Sequence, residues 1–241
     1  MLRKVQRDGV SNTPTETLDD YGLGGFNCEK CNNTGVIVTK TGLCEISSRE
    51  CSCMPIRRSL RRIRNSGMID MLERYTFENY QTPNKETERV KKLAEQFVDD
   101  EGWLYIFGRS GSGKTHICTA ICSEKIKQGV EVYYMSWRDE SVSLKSCITD
   151  TELYDQRIRK LKTVPVLYID DFLKGGESEA DIRLAFEIIN ARYNDRKLKT
   201  IISSEKDIES LLDTDEALGG RIYERAKAYT IKAPGENWRL R

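Results

Sequence analysis

Residues 103–116, WLYIFGRSGSGKTH, set a short apolar run directly before a glycine-rich turn and a helix-forming segment. No other stretch limits the possible folds as strongly. Gly108, Gly113, Lys114 and Thr115 match G-x-x-x-x-G-K-[ST], with Gly111 and Ser112 completing the turn. Glycines let the backbone curl so that several N–H groups face one concavity, and the helix start adds its partial positive charge. In such a loop the lysine reaches the β- and γ-phosphates and the threonine hydroxyl is a magnesium ligand. The expectation is a nucleoside triphosphate site on a strand–loop–helix unit.

The rest of the C-terminal two thirds keeps that alternation. Val90, Leu93, Ala94, Phe97 and Val98 share a helical face before the first strand. After WLYIF come a helix from Lys114 to about Gln128, the strand EVYYMSW and the helix TELYDQRIRKLK. The apolar strand VPVLYIDDF follows. Ser178 and Asp181 resemble a capping box opening a helix striped by Ile182, Ala185, Phe186, Ile189 and Tyr193. KTIISS and the late AYTIKA complete five strands. Strands alternating with helices predict an α/β fold, a five-stranded parallel sheet covered by helices on both faces.

A magnesium-dependent site needs carboxylates, and VLYIDD supplies Asp170 and Asp171 at the end of a buried strand. Asp170 is placed to hold the metal through water, and Asp171 to orient or deprotonate an attacking water. His116, the sole histidine, directly follows Thr115; its place along the helix gives it a structural part and not that of a general base. Cys118 and Cys122, one helical turn apart, are expected to pack against the sheet.

The N-terminal third reads differently. Residues 1–26 are polar and form a flexible lead-in, and residues 27–74 a small zinc-binding and basic module. The boundary with the larger domain, 75–241, is drawn before TFENYQTPN. Cys28 and Cys31 form C-x-x-C, and Cys51 and Cys53 form C-x-C. Four thiolates from two knuckles suit a closed tetrahedral structural zinc, which would supply the folding free energy of so small a region. Cys44, between the pairs, is a less natural substitute. Arg57, Arg58, Arg61, Arg62 and Arg64 follow as a basic patch, fit for nucleic acid, an acidic protein or plain solvent.

Charge adds little: 39 Lys+Arg against 38 Asp+Glu leave no field favouring nucleic acid, so any such site is local. No apolar run nears the roughly 18–20 residues needed to cross a bilayer. The first residues lack a signal-peptide core, so a cytoplasmic protein with reduced cysteines is expected.

The ordered set of cysteine pairs, TFENY, GKTH, YIDDF, EIINARYNDRKLKTIISS, GGRIYERA and GENWRLR resembles the AAA+ P-loop ATPases that load replicative helicases (DnaC/DnaI-like), relatives of the IstB-type transposition ATPases. The resemblance runs over roughly residues 27–241. It implies an ATPase with ATP, Mg²⁺ and Zn²⁺, in which Gly108, Gly111, Ser112, Gly113, Lys114, Thr115 and the adjoining His116 form the nucleotide loop. Asp170 and Asp171 become the acidic pair. Arg225 falls at the arginine finger that reaches a neighbouring subunit's nucleotide, with Arg221 a second candidate. Arg239 matches a sensor arginine acting in cis. Where such proteins have Ser-Asn after the fourth strand, this chain has Ser204 followed by Glu205, so Ser204 would take the sensor contact and Glu205 would point away.

The implied partners are a DnaB-like replicative helicase hexamer, single-stranded DNA (through Lys160 and Lys162 or the arginine patch) and further copies of the chain in a ring or spiral. The alternatives are an IstB-like transposition ATPase acting on target DNA and a nucleotide-regulated adaptor with little hydrolysis.

Overall fold

The computed structural model of the 241-residue chain describes residues 28–32, 34–40, 46–58, 69–175, 177–235, 237 and 238. The lead-in, Cys44, Arg61, Arg62, Arg64 and Arg239 lie outside the described residues. An antiparallel hairpin of β1 (Val36–Lys40) and β2 (Ile46–Glu50) stands between the two cysteine pairs. Helix α1 (Ile69–Arg74) then leads into α2 (Lys85–Asp99). The order continues as β3 (Trp103–Phe107), α3 (Lys114–Lys127), β4 (Val132–Ser136), α4 (Trp137–Ser146), α5 (Thr151–Thr163) and β5 (Val166–Asp170). It ends with α6 (Glu179–Asn194), β6 (Lys199–Ser204), α7 (Ile208–Thr214), α8 (Glu216–Ala226), a 3-10 turn and β7 (Thr230–Lys232).

All pairings in the larger sheet are parallel, in the order β4-β5-β6-β3-β7. The expected five-stranded sheet is therefore present, with WLYIF next to its centre. Successive side chains of a strand point to opposite faces, and β3 divides accordingly. Leu104 and Ile106 face a core with Phe97 of α2 and Ile117 and Ile121 of α3. Trp103 and Tyr105 face a second core with Ile188 and Ile189 of α6 and Ile222 of α8. Cys118 and Cys122 are buried in the first core, as expected of packing residues. Ile56 and Leu72 also belong to that core, so apolar packing continues across the boundary drawn at residue 74.

Local signals account for the helix starts. Asn84 accepts from the Thr87 N–H, and Thr87 answers from its side chain, while Glu86 and Glu88 suit the positive helix start. The reciprocal box of Ser178 and Asp181 is present, and Asp181 also pairs with Lys145 of α4 at 2.5 Å.

Three features depart from expectation. Helix α4 begins at Trp137, so the strand expected over EVYYMSW ends one residue early, at Ser136. The hairpin β1–β2 adds two strands to a module for which the sequence indicates none. In α6 the buried face is Leu184, Ala185, Ile188, Ile189 and Arg192, while Ile182, Phe186 and Tyr193 are only half buried. The helix is held along a broad face by the sheet and α8, so the hydrophobic stripe read from sequence marks one margin of it.

Candidate nucleotide and metal sites

Because the strands are parallel, the C-terminal ends of β3, β5 and β6 meet at one edge, the usual place for a ligand in such sheets. The loop 108–115 leaves β3 there. Gly113 caps α3 in the left-handed conformation (φ 86°), and a side chain on it would lie 3.3 Å from the Tyr80 ring. Gly111 has φ 78°, and an added Cβ would stand 2.0 Å from Asn237 Oδ1. Residues 237 and 238 thus lie against the loop, with Trp238 N–H donating to Gly111 O at 3.0 Å. The Lys114 ammonium donates to Gly108 O (2.8 Å) and Arg109 O (3.0 Å). Burial pushes its pKa down, while the charges of Asp171 and Glu205 pull it back.

The loop and the acidic strand end touch. Thr115 Oγ1 donates to Asp170 Oδ1 at 3.4 Å, and the same oxygen accepts from Tyr168 (2.6 Å) and Ser203 (2.5 Å). Tyr134 reaches Oδ2 at 3.3 Å. Asp170 is thereby fixed by hydroxyls from three strands and from Thr115, which holds its carboxylate in one orientation beside the phosphate loop. Asp171, with φ 52°, is held differently: its N–H donates to Ser203 Oγ at 3.0 Å and its carboxylate pairs with Lys174 at 3.0 Å.

Ser204 does not take the place foreseen for it. Its hydroxyl is buried, donates to Phe172 O at 3.0 Å and accepts from Lys206 N–H, while the backbone carbonyl of Ser204 receives Gly108 N–H. Ser203, one residue earlier, projects from the other face of β6 and is the hydroxyl beside Asp170. Sequence reading missed it because register, not motif, sets which of two adjacent serines faces a neighbouring strand. Glu205 forms an ion pair with Lys174 at 2.8 Å, so its charge is balanced within the site.

The remaining wall comes from residues 74–81. The cavity measures about 550 Å³ and includes Tyr75, Tyr80, Ser112, Lys114, Asp171 and Lys174. His116 stacks on Tyr75 (4.8 Å between centroids) and meets Tyr80 edge-on (5.2 Å). Its Nε2 lies 2.9 Å from Thr76 O, and a carbonyl can only accept, so this nitrogen carries the proton. Burial lowers the imidazole pKa, keeping it neutral. His116 therefore ties residues 75–80 to α3 while also lining the cavity. Tyr80 OH and Ser112 Oγ are buried without a hydrogen-bond partner among the described residues. Such orphaned groups fit a polar ligand such as a nucleoside phosphate.

The four cysteines of the two knuckles converge. Their sulfurs all lie within 4.8 Å of one another, with Cys28 to Cys51 at 3.7 Å and Cys31 to Cys53 at 3.6 Å. A tetrahedron with Zn–S bonds of about 2.3 Å has edges of about 3.8 Å, close to the two shorter separations, so this donor set fits zinc. Gly35 N–H donates to Cys31 Sγ at 3.3 Å, and the Cys53 N–H beside the Cys51 thiol holds its pKa down to about 7. Hydrogen bonds of this kind favour thiolate and hence metal binding. Protein purified without chelator should carry about one equivalent of zinc by elemental analysis, and Cys51→Ser less than half. A parent containing no zinc would remove the metal from this site.

Other basic candidates are engaged elsewhere. Lys160 pairs with Glu131 and Lys162 with Glu187, each at 2.6 Å, so neither is the unpaired cation expected of a DNA contact. Arg57 is buried, and Arg58 pairs with Glu50 at 2.6 Å. Arg225 lies by Trp103, at the opposite end of β3 from the phosphate loop, donating to Arg196 O at 3.1 Å. Arg221 lies against the rings of Phe186 and Tyr193 and donates to Asn190 at 3.0 Å. Neither arginine is positioned for the cavity of its own chain.

A family model described as IstB-like ATP binding protein matches residues 44–241. The phage-like element PBSX protein XkdC of Bacillus subtilis is 28% identical, with 99% of this chain and 92% of XkdC covered. The replicative helicase loader DnaC of Escherichia coli K12 is 23% identical over 74% of this chain and 72% of its own length. Among solved structures, the crystal structure of the DnaI superposes with a TM-score of 0.57 at 24% identity, covering 70% of this chain and 92% of that one. The shared fold is the AAA+ arrangement of a five-stranded parallel sheet with its phosphate loop after β3. No helix among the described residues is long and apolar enough to cross a membrane.

Proposed function

Since this chain belongs to the IstB-like ATP-binding protein family, we propose that it is an ATP-dependent loader that delivers a replicative helicase hexamer to single-stranded DNA. The observation that carries the ATPase half is the contact of Thr115 with Asp170, which joins the phosphate loop to the acidic strand end. In this reading the loop N–H groups and Lys114 bind the β- and γ-phosphates. Mg²⁺, when bound by Thr115 and Asp170, would neutralise charge on the phosphoryl oxygens. Asp171 orients or deprotonates the attacking water, and the aromatic wall of Tyr75 and Tyr80 keeps bulk water from one side of the cavity.

Arg225 serves a neighbouring copy. It cannot reach its own loop from the far end of β3, and an arginine supplied in trans makes turnover conditional on assembly. The likeness to DnaC and the four-cysteine module ahead of the ATPase support the loader assignment, with that module contacting the helicase. The name of the matching family favours a second reading, a transposition ATPase acting on duplex target DNA.

ATP hydrolysis by the parent, Lys114→Ala and Arg225→Ala, measured with single-stranded DNA, tests the enzyme. A parent as slow as Lys114→Ala would defeat it. Capture of a purified replicative helicase by the full zinc-loaded chain tests the partner. The expected result is binding that Cys51→Ser loses, whereas stimulation by duplex DNA with no helicase capture would favour transposition.

A further inference from the structure

The turn after β5 has an unusual construction. Asp171 and Leu173 both adopt left-handed backbone (φ 52° and 58°), although neither is glycine. Such conformations persist only where the surroundings impose them, and they cluster at functional sites. Here Phe172 and Leu173 are buried side by side, Phe172 N–H donates to Ser203 O at 2.8 Å, and Lys174 N–H donates to Asp171 O at 3.0 Å. The result is that Lys174 projects into the cavity shared by Gly113, Lys114, Thr115 and Asp171.

Its ammonium lies between two carboxylates, Asp171 at 3.0 Å and Glu205 at 2.8 Å. An ammonium has three N–H donors. Among the described residues two are engaged, which leaves one. The side chain is about a third exposed, so it has room to turn toward a bound group. Glu205 keeps the Lys174 pKa above its ordinary value, so the cation persists at neutral pH.

The same geometry answers the difficulty posed by Glu205. An acidic residue following β6 would repel a triphosphate more than a diphosphate, because the γ-phosphate adds charge nearest the strand ends. Lys174, shared with Asp171, offsets part of that repulsion and carries a third N–H beyond the two carboxylates. We propose that Lys174 reads the γ-phosphate in cis, making this chain's own turn, rather than a polar residue of β6, the element that distinguishes ATP from ADP. This rests on the nucleotide-binding reading above.

Isothermal titration of the full chain with Mg²⁺ and either a non-hydrolysed ATP analogue or ADP tests it. Lys174→Ala should weaken the ATP analogue about tenfold or more, the range of a charge-assisted hydrogen bond, while ADP changes less than about twofold. Lys174→Arg should recover most of the loss. The double variant Lys174→Ala with Glu205→Ala should remain impaired for the ATP analogue. Lys174→Gln, which keeps most of the stem, should repeat the result if alanine loosens the turn.

Equal weakening of both nucleotides would make Lys174 a structural tie and overturn the proposal. Full recovery in the double variant would also overturn it, since Lys174 would then only neutralise Glu205. A parent that binds neither nucleotide would bring down the ATPase reading as well, which separates the two failures.

Discussion

Asp170→Asn should lower ATP turnover about a thousandfold, the scale seen when a preorganised electrostatic contact is removed from a reacting centre, while leaving the protein folded. The wild-type carboxylate receives Tyr168, Ser203 and Thr115 on one oxygen, and Tyr134 reaches the other. Asparagine keeps one oxygen for the first three hydroxyls, and its amide N–H can donate to the Tyr134 oxygen, so that contact reverses direction and the packing is retained. What disappears is the negative charge facing the phosphate loop, and with it the hold on a hydrated cation. The measurement is kcat at saturating ATP and Mg²⁺, beside a thermal melt of the same samples. Turnover within about threefold of the parent would show that Asp170 serves the loop's packing and not the reaction. Alanine is the harsher variant, because it leaves all four hydroxyls without an acceptor.

The parts of this site that could be read from sequence are those whose geometry is local. The phosphate loop is one, since glycine conformation and helix start are settled within a few residues. The acidic strand end is another, because a buried apolar strand ending in Asp170 and Asp171 can place them only at the sheet edge. The four knuckle cysteines were also legible, their ligand spacing being a matter of tight turns. The hairpin between them was not: every residue of β2 is exposed, so no alternation of apolar and polar residues marks it.

Long-range register decided the rest. Ser203 and Ser204 are adjacent, and only the pairing of β5 with β6 shows which meets Asp170. Lys174 and Glu205 are far apart in sequence and converge because two loops leave neighbouring strands on the same edge. Arg192, which is no member of the apolar stripe of α6, is wholly buried. The apolar pattern of α6 does not mark it, because its partners are one threonine hydroxyl and three backbone oxygens, which no apolar stripe can reveal.

Arg192→Met is therefore expected to destabilise the fold by about 3–5 kcal/mol, the scale of leaving several buried acceptors unpaired. The guanidinium donates from Nε to Thr200 Oγ1 (2.9 Å), from one terminal nitrogen to Leu161 O and Val164 O (both 2.9 Å), and from the other to Lys199 O (2.8 Å). All four acceptors are uncharged oxygens. Burial lowers the arginine pKa, and the carbonyl dipoles replace the lost hydration.

Methionine roughly fills the volume but strands three backbone carbonyls in an apolar interior, each costing about 1–3 kcal/mol. For a chain of this size such a loss lowers the melting temperature by roughly 10 °C. Lysine should fall between the two, since a single ammonium cannot span acceptors on both the α5–β5 connection and β6 as the planar fork does. The contacts lie at the N-terminal ends of β5 and β6, and Asp170 and Ser203 at their C-terminal ends. Below its melting range the methionine variant should accordingly keep the parent's nucleotide affinity within about twofold, as expected for a change several residues from the site with no shared partner. Denaturant unfolding and nucleotide titration on one preparation separate these effects. A loss of stability under about 1 kcal/mol would mean that water or a shifted side chain satisfies the carbonyls, and that Arg192 is not the clamp joining α5, α6 and β6.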